Sequence, residues 1–218
     1  DGKTYLCFPL IKEEKLYGFG LNFKTVQQRG RILQLHVDHY GGADNGRTHA
    51  PVPFYVSDKG YGVFVNSARY ITVYAGTAVR KDSPNAPEPR DRNTDKKWTS
   101  QQYSDAVEMA IPAAGTEIYV FAGPTPLDVV RRFNLFNGGG CLPPRWGLGF
   151  TQRVKSLYTA DQVTEEARQF EEKGYPLDFI GLEPGWQSKS YPCTFEWDKT
   201  RFPDPAGFIK AMKEKGIR

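Results

Sequence analysis

Three consecutive glycines, Gly138-Gly139-Gly140, separate two hydrophobic periodicities that belong to different folds. Before them the apolar runs are short and rich in Val, Phe and Tyr: Pro53-Phe-Tyr-Val-Ser57, Tyr61-Gly-Val-Phe-Val65, Arg69-Tyr-Ile-Thr-Val-Tyr74 and Glu117-Ile-Tyr-Val-Phe121. Ile32-Leu-Gln-Leu-His-Val37 alternates in part, and Asp58-Lys-Gly60 makes a tight turn between two runs. Strands of this kind, punctuated by Gly and Asp, predict a β-sandwich. After the glycines, apolar residues recur at helical spacing between short apolar runs, the pattern of alternating strands and helices.

The helices have legible ends. Thr125 can cap a helix with Pro126 in its first position and Leu127, Val130 and Phe133 on one face. The three glycines end it. Thr159-Ala-Asp-Gln162 reads as a capping box, with Val163, Ala167 and Phe170 buried and Gly174 as the stop. Asp204 and Pro205 open a third helix, with Phe208, Ile209 and Met212 inward and Gly216 behind them. Trp146-Gly-Leu-Gly-Phe150 and the run ending at Leu182 read as strands, and Ile217-Arg218 should begin another. The expected organisation is a β-sandwich over 1–137, a linker over 138–145, and the first units of an incomplete TIM (β/α)8 barrel over 146–218. About two of the usual eight units are expected.

Composition narrows the function. Aromatics are abundant, with 14 Phe, 12 Tyr and 4 Trp, which favours β-rich packing over disorder. The net charge of +4 comes from scattered Lys and Arg without a basic stripe, so no nucleic-acid partner is expected. No apolar run is long enough to span a membrane, and no membrane partner is expected. Cys7, Cys141 and Cys193 are far apart and lack metal spacing, which leaves the redox compartment open. Lys81 to Lys97, with Pro84, Pro87 and Pro89, reads as a surface loop. His36, Asp38, His39 and His49 are the only grouping to test for a metal. His36 and Asp38 would share a strand face, but no firm zinc geometry follows, and neither metal nor cofactor is expected.

Glu183 is the leading candidate for a site. It ends the apolar run Pro176-Leu-Asp-Phe-Ile-Gly-Leu-Glu183, with Trp186 three residues on. In parallel α/β sheets the carboxyl ends of strands carry the chemistry. A carboxylate beside an indole suits a sugar, which offers hydroxyls on its rim and C–H faces for stacking. A capping or salt-bridged surface role is the plainer alternative for Glu183, and core packing for Trp186.

The second segment resembles the start of the catalytic barrel in glycoside hydrolase family 31, the α-glucosidases, α-xylosidases and α-galactosidases. The matching text is Leu142-Pro-Pro-Arg-Trp-Gly-Leu-Gly-Phe150, Pro176-Leu-Asp178, Phe195-Glu-Trp-Asp198, Arg201-Phe-Pro-Asp-Pro205 and Lys215-Gly-Ile217. The first segment resembles, more loosely, the family's galactose-mutarotase-like sandwich through Tyr17-Gly-Phe-Gly20, Pro53-Phe54, Gly60-Tyr-Gly-Val-Phe64 and Gly123-Pro-Thr-Pro-Leu127.

The resemblance implies a carbohydrate substrate and a retaining mechanism, with two carboxylates about 5–5.5 Å apart. In the family both are aspartates on later barrel strands. The catalytic pair is therefore expected beyond Arg218, and the 218 residues alone are expected to be inactive. Glu183 stands where relatives carry an aspartate that binds hydroxyls of the cleaved sugar. Its extra methylene re-aims that contact, which makes α-galactosidase or α-N-acetylgalactosaminidase specificity the alternative to an α-glucosidase. Arg153 lies where relatives line the pocket. Gly41-Gly-Ala-Asp-Asn-Gly46 corresponds to a loop that the family sends toward the site, with Asp44 as the sugar contact. The rival from another class is a carbohydrate-binding module without catalysis.

Overall fold

A computed structural model describes residues 2–38, 48–77, 89–100, 103–189 and 193–218. They form two compact units, Asp1–Gly140 and Cys141–Arg218.

The first unit pairs two four-stranded antiparallel sheets. One runs in the order β1 (Thr4–Pro9), β7 (Tyr103–Ile111), β6 (Ile71–Thr77), β3 (Arg31–Leu35). The other runs β2 (Leu16–Gly20), β4 (Pro51–Ser57), β5 (Tyr61–Asn66), β8 (Glu117–Ala122). Alternate residues turn inward and make one core in which Leu16, Leu33, Val63, Val65, Ile71, Val73, Val107, Met109 and Ile111 are buried around Tyr55 and Phe19. This is the two-sheet packing that period-2 patterning predicts.

A buried carboxylate ties the sandwich at one end. Glu14 accepts hydrogen bonds from the Ile11 N–H (2.9 Å), the Tyr61 hydroxyl (2.6 Å) and the Ser57 hydroxyl. Burial, then the Glu14 carboxylate, raises the pKa of Tyr61.

Helix α1 (Pro126–Phe136) follows β8 and is capped by Thr125, whose side chain accepts from the Asp128 N–H. Its buried face differs from the expected one. Val129 is fully buried and Phe133 stacks on Phe54 at 3.8 Å, whereas Leu127 is 79% exposed and Val130 also faces outward. The aromatic floor decides this: Phe54, Phe64 and Phe121 receive Phe133, and that rotation brings Val129 down with it.

The second unit holds a parallel pair, β9 (Thr151–Arg153) and β10 (Phe179–Gly181), joined through helix α2 (Ala160–Glu172). Helix α3 (Pro205–Glu214) follows, and Arg218 then bonds the free side of β10, donating to the Asp178 carbonyl (3.0 Å) and accepting from the Ile180 N–H (2.8 Å). The capping box at Thr159 and Gln162 is present in both directions, and Asp204 caps α3. Val163 and Ala167 are buried, and Ala167 packs with Met212, Ile217, Ile180 and Phe208.

One expected strand is displaced. Arg145–Leu148 forms a turn of 3-10 helix, and the strand begins only at Thr151. Gly149 closes that turn at a point with no room for a side chain: an added Cβ there would lie 2.0 Å from Asp178 Cγ. The Asp178 carboxylate occupies that space to accept from the Phe150 N–H (2.8 Å).

Candidate functional site

The two short strands of the second unit have unlike faces. Gln152 bonds Glu166 of α2, and Ile180 packs on Ala167 and Met212, so these residues face the helices. Strand alternation turns Arg153 and Gly181, neighbours in register, to the opposite face. In a barrel that face looks inward, and its carboxyl-terminal rim is where chemistry sits.

Glu183 stands two residues past Gly181 in an extended conformation, at φ −70° and ψ 161°. It precedes a 3-10 turn, Pro184–Trp186, but its side chain makes no capping bond to that turn. Instead its Oε1 pairs with an Arg153 guanidinium nitrogen. The carboxylate is the more sheltered partner, with side-chain exposure of 23% against 73% for Arg153. The ends of two consecutive strands thus present one ion pair on the inward face. A carboxylate so placed accepts hydroxyl hydrogen bonds, and a guanidinium donates them.

Trp186 is half-buried, and its ring meets Trp197 at 4.8 Å with an interplanar angle of 56°. Trp197 in turn meets Phe202 at 5.3 Å, and Phe202 meets Phe208 at 5.5 Å. Trp186 is therefore engaged in loop packing. Asp198 and Arg201 stitch the same loop. The Asp198 carboxylate accepts from Arg201 Nε (3.1 Å) and from a terminal guanidinium nitrogen (2.9 Å), and these bonds hold its pKa below the usual range. Arg201 also donates to the carbonyls of Ser156 and Gln187, which ties the loop after β9 to the loop after β10.

Asp44 and the glycine-rich segment around it lie outside the described residues, as does His39. His36 packs its ring on Tyr70 at 4.2 Å. Among the described residues no three His, Cys, Asp or Glu side chains come together to hold a metal. No helix among them is long and apolar enough to cross a membrane.

Asp178 and Gly185 also shape the candidate site. Asp178 fixes the start of β10 against Phe150, and Gly185 lets the loop carrying Glu183 approach the Ser156 carbonyl. The signal for Gly185 was its place between Pro184 and Trp186, where a turn needs a close backbone approach.

Comparison with known proteins follows the division into units. Residues 1–73 match the glycosyl hydrolase 31 N-terminal galactose mutarotase-like domain. Residues 140–218 match the glycosyl hydrolases family 31 TIM-barrel domain. The chain is similar to an α-xylosidase of Lactiplantibacillus pentosus, at 29% identity over 94% of this chain and 24% of the relative. It is also similar to α-glucosidase 2 of Bacillus thermoamyloliquefaciens, at 29% identity over 97% of this chain and 24% of the relative. In fold it resembles a family 31 dextranase of Flavobacterium johnsoniae complexed with glucose, with a TM-score of 0.77 at 22% identity, covering 100% of this chain and 24% of that one. The chain thus spans about a quarter of the length of these relatives.

Proposed function

Because the chain belongs to glycoside hydrolase family 31, we propose that the protein carrying it is a retaining α-glycosidase that removes terminal α-linked sugars. In this proposal Glu183 reads sugar hydroxyls at the mouth of the barrel. The observation that carries it is the placement of Glu183 and Arg153 at the carboxyl ends of consecutive parallel strands, on the face turned from the helices. A carboxylate there accepts hydrogen bonds from hydroxyls of one orientation and rejects the epimer that leaves it unpaired. The nucleophile and the general acid/base are assigned to barrel strands outside residues 1–218, so these residues alone bind without cleaving. Trp186 supplies stacking surface, and Asp44 a further hydroxyl contact.

Two relatives bear the names α-xylosidase and α-glucosidase, which favours substrates with an equatorial 4-hydroxyl. Glutamate in place of the family's usual aspartate favours a second reading, an axial 4-hydroxyl as in galactose or its N-acetylamino relative. Hydrolysis of aryl α-glucoside, α-xyloside and α-galactoside by the full-length protein decides between them. The proposal expects cleavage of at least one with retained anomeric configuration. Inversion, or no cleavage of any, would overturn it.

A further inference from the structure

Arg153 reaches Glu183 along a path that the sequence keeps open. The register places Arg153 beside Gly181, and the Val154 N–H donates to the Gly181 carbonyl (3.2 Å), which fixes the separation of the two strand ends. A Cβ built on Gly181 would sit 3.4 Å from Arg153 Cγ, so the aliphatic stem of Arg153 lies over the glycine. Gly181 is not among the glycines with positive φ. Backbone conformation therefore does not call for glycine at this point and a single Cβ would make ordinary contact, but a larger side chain would press on the arginine stem.

The pair contributes little as a stabilising device, since water screens an exposed ion pair and holding two long side chains in place offsets most of its attraction. What it does impose is direction. Glu183 has one more rotatable bond than an aspartate, and no cap bond restrains it. The planar fork of an arginine defines the orientation of a carboxylate better than the point charge of a lysine.

We propose that Arg153 is a positioning residue that reaches across Gly181 to aim the Glu183 carboxylate, so that sugar selectivity belongs to the Arg153–Gly181–Glu183 unit. This rests on the reading of Glu183 as a sugar contact. In this proposal Arg153 acts on sugar selectivity through Glu183. The glycine completes the device, because a branched side chain at 181 would lift the arginine off its partner.

The test is a double-mutant cycle in the full-length protein, with kcat/KM measured on aryl α-glucoside and aryl α-galactoside. Thermal melts verify that each variant is folded. Residues that act as one unit lose activity non-additively: Arg153→Met should cost about 10-fold in kcat/KM on the preferred sugar, mostly through KM, and Arg153→Met/Glu183→Gln should stay within about threefold of Glu183→Gln alone. The ratio between the two sugars should narrow in Arg153→Met and recover in part in Arg153→Lys. Gly181→Val should reproduce Arg153→Met, and Gly181→Ala should stay near wild type. Multiplicative losses, or an unchanged sugar ratio in Arg153→Met, would overturn the proposal while leaving the glycosidase reading intact. An active wild type whose selectivity ignores Glu183→Gln removes the role of Glu183 and the inference with it. A wild type inactive on every α-glycoside defeats the functional reading itself, and the inference falls too.

Discussion

Gly185 occupies a spot that admits no side chain: an added Cβ would lie 1.7 Å from the Ser156 carbonyl oxygen and 3.0 Å from an Arg201 nitrogen. Overpacking a tight backbone approach costs about 1–3 kcal/mol, so Gly185→Ala should lower the thermal midpoint of the second unit by several degrees. An unchanged midpoint would contradict the geometry. In the sandwich, two tyrosines make an opposed pair. The Tyr55 hydroxyl is fully buried without a hydrogen bond of ordinary geometry, although Tyr61 lies close enough to add to the rise in its pKa that burial causes. Tyr61 donates to Glu14 at 2.6 Å. Removing an unpaired buried hydroxyl is neutral or stabilising, whereas losing a hydrogen bond to a carboxylate costs about 1.5–3 kcal/mol. Urea titration should therefore find Tyr55→Phe at or above wild-type stability and Tyr61→Phe well below it. The reverse order would mean that the Tyr55 hydroxyl has the more important partner.

Helix α2 bears an exposed ion-pair ladder. Arg168 bonds Glu165 at 2.7 Å and also pairs with Glu172, while Lys215 reaches Glu171 at 2.7 Å. Arg168, then Gln169, holds the Glu165 pKa at about 2, and Lys215 lowers that of Glu171. A depressed carboxylate pKa contributes stability that is present above the unfolded value, about 4.3, and is lost as pH falls toward the folded value. Between those limits the wild type should lose stability more steeply than Glu165→Gln, and 1 M salt should shrink the difference because the pairs are exposed. Equal slopes by circular dichroism would contradict this.

Elements also show what the sequence made legible. The caps at Thr125, Thr159 and Asp204 were visible because capping is local chemistry. The longest strand, β7, carries Ser104, Asp105, Ala106, Glu108 and Ala110, residues of poor strand propensity, so its alternating Val107, Met109 and Ile111 were easy to pass over. The face of α1 and the start of β9 depend on partners distant in sequence, Phe54 and Asp178, that no local pattern reveals. The place of Glu183 just past a strand end was legible in the sequence. Its ion pair with Arg153 was not, because nothing in the spacing of residues 153 and 183 tells that two strands lie in register.

At the scale of the whole molecule, the two units differ in how much sheet each builds. The sandwich buries a continuous core. The second unit carries a two-stranded sheet and leaves Leu142, Leu148, Leu157 and Phe195 exposed. A short sheet with open edges and exposed apolar residues invites association. Light scattering on the 218-residue chain should accordingly detect oligomers at micromolar concentration, and a well-behaved monomer would contradict this.

The central claim is that these residues help to choose the sugar and do not cleave it. Its most direct test compares hydrolysis of the preferred aryl α-glycoside by the full-length protein, by its Glu183→Gln variant, and by residues 1–218 alone. Removing a contact that discriminates hydroxyls should lower kcat/KM by about 10- to 100-fold and narrow the sugar preference without abolishing turnover, and the isolated residues should show no turnover. Complete loss of turnover in folded Glu183→Gln, or hydrolysis by residues 1–218 alone, would contradict the account.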